Sequence, residues 1–110
     1  MRPSVTIAAV RAAVLADQWA LTRHARERMG RRRIGDEQLV HALAAGEVIE
    51  DYPTDPRGPS ALVLGRAPDG TPLHAVCAFD PSGTLLVITA YVPESPHWLD
   101  ERTRGAGQSP

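Results

Sequence analysis

Lysine is absent from the 110 residues, and all twelve basic side chains are arginine. A guanidinium presents a fixed fork of donors and stays charged at physiological pH, which suits bidentate contact with phosphate. A genomic codon bias toward arginine would leave the same mark. Cysteine occurs once, at Cys77, so no internal disulfide can form and nothing argues for an oxidising compartment. A cytoplasmic location is therefore the expectation. No apolar run approaches the roughly 18 residues of a membrane span, and Arg11 interrupts the apolar residues that would otherwise suggest a secretory signal. The four histidines and one cysteine show no close ligand spacing, so no metal site is expected. No cofactor is expected either, because glycine-rich phosphate loops, nucleophile elbows and paired cysteines are all missing.

At 43% hydrophobic and 23% charged, the composition is that of an ordinary globular protein. Its length supports one modest core. The expected layout is a single α+β domain over residues 1–99 and a flexible tail over residues 100–110. The net charge of -1 conceals an asymmetry. Residues 1–33 carry eight arginines against Asp17 and Glu27, net +6, whereas residues 34–99 carry nine acids against Arg57 and Arg66, net -7. Such a dipolar chain can turn one basic face toward a polyanion while remaining near neutral.

Three helices are expected before residue 46. Ser4 can cap the first, from about Val5 to Ala16, with Ile7, Val10 and Val14 at helical spacing. Trp19-Ala20-Leu21 is a candidate short extended segment. Thr22 at an N-cap and Gly30 just past the end predict a second helix over 23–29. Asp36 is the expected N-cap of the third, which buries Leu39, Val40, Leu43 and Ala44, stops at Gly46, and leaves His41 at the surface. The period then becomes extended. Glu47 to Tyr52, Ala61 to Arg66, Leu73 to Phe79 and Leu85 to Val92 read as strands between Pro- and Gly-rich turns, implying an antiparallel meander. The expected fold is thus α+β, with N-terminal helices packed on a four-stranded antiparallel sheet. His97-Trp98-Leu99 can fold back on the core.

Half of the arginines fall within residues 22–35. On a helix there, His24 and Arg28 lie one turn apart on one face, beside a burial stripe of Ala25 and Met29. Histidine can serve as general acid or base, and an adjacent arginine can hold a phosphate and stabilise charge developing on it. A half-buried histidine beside a snorkelling arginine is the plainer reading of the same pair. Arg31-Arg32-Arg33, with Arg23, are candidate clamps on a nucleic-acid backbone or simply a solvated loop. His74 reads as a satisfied core histidine on burial grounds. Thr89 and Tyr91 share one face of the last strand, where packing competes with positioning of a substrate.

The order Leu21-Thr22-x-His24-Ala25-x-x-Arg28-Met29, Arg33-Ile34-Gly35, Gly46-Glu47-Val48-Ile49-Glu50-Asp51-Tyr52, Pro72-Leu73-His74-Ala75-Val76 and Ile88-Thr89-x-Tyr91 resembles a bacterial domain-of-unknown-function family. Members of that family look like relatives of the barnase, EndoU, colicin and RelE group of small α+β ribonuclease toxins, the BECR fold. The resemblance covers residues 20–98 and implies a metal-independent ribonuclease, with His24, Arg28, His74, Thr89 and Tyr91 as the matched polar residues. The alternative is a non-catalytic module that binds RNA or a partner protein such as a cognate regulator. The chain departs from the family pattern by an added alanine-rich first helix, which could occlude the site, pack a homodimer or cap the core.

The hairpin Asp80-Pro81-Ser82-Gly83-Thr84 sets an expected register. Pairing Asp80 with Thr84 puts Ala75 opposite Thr89 and His74 opposite Ala90, so that His74 faces away from Thr89 and Tyr91. His24 is then expected beside Thr89 and Tyr91, with His74 on the far side. A one-residue bulge in either strand reverses that assignment.

Overall fold

The computed structural model describes residues 4–56, 58–94, 98, 100–103 and 105. Along the chain it forms α1 (Ile7–Leu15), β1 (Trp19–Leu21), α2 (Arg23–Arg31), α3 (Asp36–Ala44), β2 (Glu47–Tyr52), β3 (Ser60–Arg66), β4 (Pro72–Phe79) and β5 (Leu85–Tyr91). The α+β class holds, but the sheet has five strands in the order β1-β5-β4-β3-β2 and is mixed. β2 to β5 form the antiparallel meander, while β1 adds to the edge of β5 in parallel, pairing Trp19 with Leu85 and Leu21 with Val87. Three residues carry no readable period, and a parallel neighbour needs a long crossover, here most of the chain; the fifth strand therefore left only a faint mark in the sequence.

Local chemistry explains the helix ends. Thr6, rather than Ser4, caps α1 by accepting from the Ala9 N–H at 3.1 Å. Thr22 caps α2 as expected, accepting from the Ala25 N–H at 3.1 Å. Gly30 does not stop α2; it lies within the last turn. The stop is Arg33, which adopts the left-handed conformation at φ 56°. Its N–H reaches the Gly30 carbonyl at 3.3 Å, and the Ile34 N–H reaches the Met29 carbonyl at 2.9 Å. That bond pair is a Schellman ending, closed by burial of Ile34 near Met29 in the same core cluster. α3 is capped by Gly35 instead of Asp36, and the Gln38 side chain reaches back to the Gly35 N–H at 2.8 Å.

The helices cover one face of the sheet. Val10, Met29, Leu39 and Leu43 meet Val63, Ala75, Cys77, Val87 and Ala90 in one apolar cluster. Burying Met29 alone contributes about 1.5–3 kcal/mol. β2 to β4 would leave the opposite face open, yet Leu62 and Leu64 on that face are 1% and 4% exposed. The chain beyond β5 accounts for part of this cover, since Trp98 is itself buried against His74. Within the His97-Trp98-Leu99 stretch only Trp98 is described, and residues 104 and 106–110 of the expected tail lie outside the described residues.

The register of β4 and β5 departs from the simple count. The turn pairs Asp80 with Thr84 as expected, with Asp80 N–H to Thr84 carbonyl at 3.0 Å and Gly83 at φ 89°. Cys77 then faces Val87, but Val76 faces Thr89, so Ile88 is an extra residue, a β-bulge. His74 consequently pairs with Tyr91 instead of Ala90. The expected separation of His74 from Thr89 and Tyr91 is overturned, and all three project from the same face. Thr22 shows why the bulge sits there. Its hydroxyl donates to the Ile88 carbonyl at 2.8 Å while its N–H donates to the Val87 carbonyl at 3.1 Å. One residue thus caps α2 and satisfies the carbonyl that the bulge removes from the strand ladder.

Candidate nucleic-acid interface

α2 begins where β1 ends and continues along the edge of β5. At 100° per residue, Ala25 and Met29 point into the core, and His24, Arg28 and Arg31 form the stripe beside them. Arg28 is the member nearest the sheet. Its Nη1 donates to Thr89 Oγ1 at 3.3 Å, and its Cζ stands 4.4 Å from the centroid of the Tyr91 ring. The ring face attracts the cation, and the hydroxyl fixes its rotation. A guanidinium carries five N–H donors, and this is the one bond Arg28 makes among the described residues. The remainder of the fork is available to an anion.

Beneath this layer lies His74, fully buried at 0% exposure. Its Nε2 lies 2.7 Å from the Glu101 carbonyl oxygen and its Nδ1 lies 3.3 Å from the Tyr91 hydroxyl. A carbonyl only accepts, so Nε2 carries the proton toward Glu101; in a neutral ring Nδ1 then accepts from Tyr91 O–H. Trp98 and Tyr91 both pack edge-on against the imidazole, with centroids 4.3 Å and 5.3 Å away. His74 therefore cannot touch a substrate. It supports Tyr91, which supports Arg28.

The remaining candidates are at the surface. His24 is exposed one turn from Arg28 and makes no hydrogen bond among the described residues. The structure does not bring it beside Thr89, Tyr91 or His74 in any bonded contact, so the five matched polar residues split into a linked set, Arg28 with Thr89, Tyr91 and His74, and a solvent-facing His24. Arg23 pairs with Glu27 at 3.3 Å, an exposed pair of small energetic value. Arg32 pairs with Glu94 at 2.6 Å. Arg31 and Arg33 are exposed with no partner among the described residues, and so is Arg26, which the sequence reading did not single out.

The chain beyond β5 is pinned on the other side of the molecule. Arg66 pairs with Glu101, and Arg102 with Glu47. Those guanidinium hydrogen bonds hold the Glu101 and Glu47 carboxyls below their ordinary range. The four residues, with His41 and Leu64, line a cleft of about 340 Å³. His41 is exposed as expected, with Nδ1 2.8 Å from the Arg66 carbonyl oxygen. Among the described residues no group of histidine, cysteine and carboxylate side chains could hold a metal, and no helix is long and apolar enough to cross a membrane.

Fold and site together define a small α+β domain whose cationic helix follows the edge strand β1, packs beside β5 and presents one buttressed arginine. The profile of a family described as a domain of unknown function, DUF4258, matches residues 21–92, and the chain belongs to that family. No curated protein and no solved structure matches. The matched span runs from Leu21, the last residue of β1, through β5; α1, Trp98 and Glu101 lie outside it.

Proposed function

We propose that the domain is a metal-independent ribonuclease that receives an RNA phosphodiester at the α2–β5 edge. The observation that carries this reading is Arg28, held by Tyr91 and Thr89, with one hydrogen bond among the described residues and flanked by His24 and Arg31. In the reaction the RNA 2′-hydroxyl attacks the adjacent phosphorus, the bond to the 5′-oxygen breaks, and the products are a 2′,3′-cyclic phosphate and a 5′-hydroxyl. Arg28 stabilises the charge that grows on the non-bridging oxygens. His24 carries one of the two proton transfers, as base to the 2′-hydroxyl or acid to the leaving oxygen, and solvent carries the other. Arg31, Arg32, Arg33, Arg23 and Arg26 hold flanking phosphates.

The test is incubation of purified protein with RNA in chelator, comparing wild type, His24→Ala and Arg28→Ala, with the product ends identified. Cleavage that leaves cyclic phosphate and falls about 10²–10⁴-fold in His24→Ala is the expected result. Undiminished cleavage by His24→Ala removes His24 from the role, and no cleavage by wild type removes the enzyme. A second reading, a non-catalytic RNA-binding module, is favoured by one observation. Tyr91, the other titratable group against Arg28, directs its hydroxyl to His74 and away from a substrate proton. That reading expects salt-sensitive RNA binding without turnover, weakened by Arg31→Ala. Binding of a cognate regulator or a homodimer contact through α1 belongs to the same non-catalytic alternative, and ultracentrifugation addresses the latter.

A further inference from the structure

We infer that His74 is a positioning residue through which the chain beyond β5 sets the geometry of Arg28; the inference rests on Arg28 being the phosphate-holding group of the proposed site. The connection is continuous on the page. Glu101 offers its backbone carbonyl to His74 Nε2 at 2.7 Å, His74 Nδ1 meets the Tyr91 hydroxyl at 3.3 Å, and the Tyr91 ring lies 4.4 Å beneath the Arg28 guanidinium. Trp98 closes over the imidazole edge-on at 4.3 Å. Every link is made by a group with two distinct ends, so moving one end reorients the other. A ring such as Tyr91 fixes a cation only if its own tilt is fixed, and the hydroxyl hydrogen bond to a buried imidazole fixes it.

Two further observations make this a device of this chain and not simply packing. The bulge at Ile88 is what brings His74 opposite Tyr91, and Thr22, the cap of the helix carrying Arg28, satisfies the bulged carbonyl. The helix that carries Arg28 is therefore tied, through its cap, to the same bulge that sets the His74–Tyr91 pair. Trp98 and Glu101 also lie outside the matched family span, so the lower end of the relay is supplied by sequence that the family core does not include. The Arg66–Glu101 and Arg102–Glu47 pairs hold that sequence against β2 and β3.

The experiment observes Arg28 directly, without RNA, by the NMR resonance of its Nε–H in the full chain, assigned from an Arg28→Lys variant. A cation over a tyrosine face is shifted upfield, so loss of the contact moves the resonance downfield. His74→Phe keeps the ring packing and removes both hydrogen bonds; it is expected to move the Arg28 resonance downfield, and His74→Gln, which restores a donor and an acceptor, is expected to return part of the shift. Trp98→Ala is expected to move it in the same direction in wild type and to have no added effect in a Tyr91→Phe background, where the relay is already cut. A simple loss of stability would act equally in both backgrounds, and additive shifts overturn the inference. So does a resonance that ignores both His74→Phe and Tyr91→Phe. Parallel RNA titrations separate the two readings. If the Arg28 resonance follows the relay but no variant binds or cleaves RNA differently, the relay stands and the ribonuclease reading fails. If Arg28→Ala abolishes RNA binding while the resonance is indifferent to His74, the site stands and the relay is overturned.

Discussion

α3 lies so close to β3 that a Cβ on Gly65 would stand 2.0 Å from the Ala42 carbonyl oxygen and 2.5 Å from its carbon. Both obstacles are backbone and cannot swing aside. To reach even the 3.0 Å below which real Cβ contacts essentially never fall, α3 must retreat by about 1 Å. That retreat loosens Leu39 and Leu43, which are 0% and 1% exposed in the core. Overpacking of this kind costs about 1–3 kcal/mol, and an immovable partner places Gly65→Ala near the top of the range. The reduced freedom of the unfolded chain returns about 0.4–1 kcal/mol, leaving a net loss of about 2–2.6 kcal/mol. Against a total stability of roughly 5–15 kcal/mol, this corresponds to a fall in Tm of about 8–21 °C at some 4–8 °C per kcal/mol. Urea denaturation followed by circular dichroism measures it as a lower midpoint at unchanged m-value. Gly30→Ala is the matched control, because a Cβ there meets nothing within 4 Å. In the last turn of α2 it should raise stability by about 0.5–1 kcal/mol. A Gly65→Ala protein within 1 kcal/mol of wild type would refute the close approach of α3 to the sheet.

Arg33 occupies a left-handed position that glycine fills more easily, so Arg33→Gly should gain about 1 kcal/mol of stability while weakening RNA binding and flattening its salt dependence; equal RNA affinity across a salt series would show that the charge is idle. Asp80 accepts hydrogen bonds from the Ser82 hydroxyl at 2.6 Å and from the Thr84 and Ser82 N–H groups, and these hold its carboxyl below the ordinary range, the Ser82 side chain foremost. Because the folded-state pKa is the lower one, the stabilisation is complete above about pH 4 and is lost as pH falls further, through the folded value. Asp80→Asn should therefore lose less stability than wild type between about pH 4 and pH 2, as read from urea midpoints at each pH. Burial pushes the Cys77 thiol up to about 12; a thiol reagent at pH 8 should leave native protein unmodified and react only on unfolding, and prompt native labelling would contradict the packed core.

Much of the fold was legible because the residues that decide it act locally. Thr22 caps α2 through its own hydroxyl, and the Asp80–Thr84 turn closes the hairpin through its own glycine. Strands β2 to β5 announced themselves by turns and apolar runs. What escaped was decided at a distance. Trp19-Ala20-Leu21 could be read as extended, as it is, but its parallel place beside β5 could not, and Ile88 bulges where the Thr22 side chain, 66 positions earlier, donates to its carbonyl. The candidate site suffered from the same limit. His24 and Arg28 could be paired by helical spacing, and they do share a stripe, but the partnership of His74 with Tyr91 required knowing the bulge. The ends of α2 and α3 show a subtler failure, since Gly30 and Asp36 were plausible punctuation and the chain used Arg33 and Gly35 instead.

The parallel seam between β1 and β5 also sets when this molecule can exist during its own synthesis. Thr22 waits for Ile88, 66 positions later, which at about 5–20 residues per second is roughly 3–13 s on the ribosome. Until then α3 can pack on β3, but α2 lacks the strand along which it lies, Met29 has neither Val87 nor Ala90 to complete its pocket, and Arg28 has neither Tyr91 nor Thr89 to hold it. The cationic helix is therefore translated first and armed last. A chain cut short anywhere before the last strand carries the arginines of α2 without the Tyr91 and Thr89 side chains that orient Arg28.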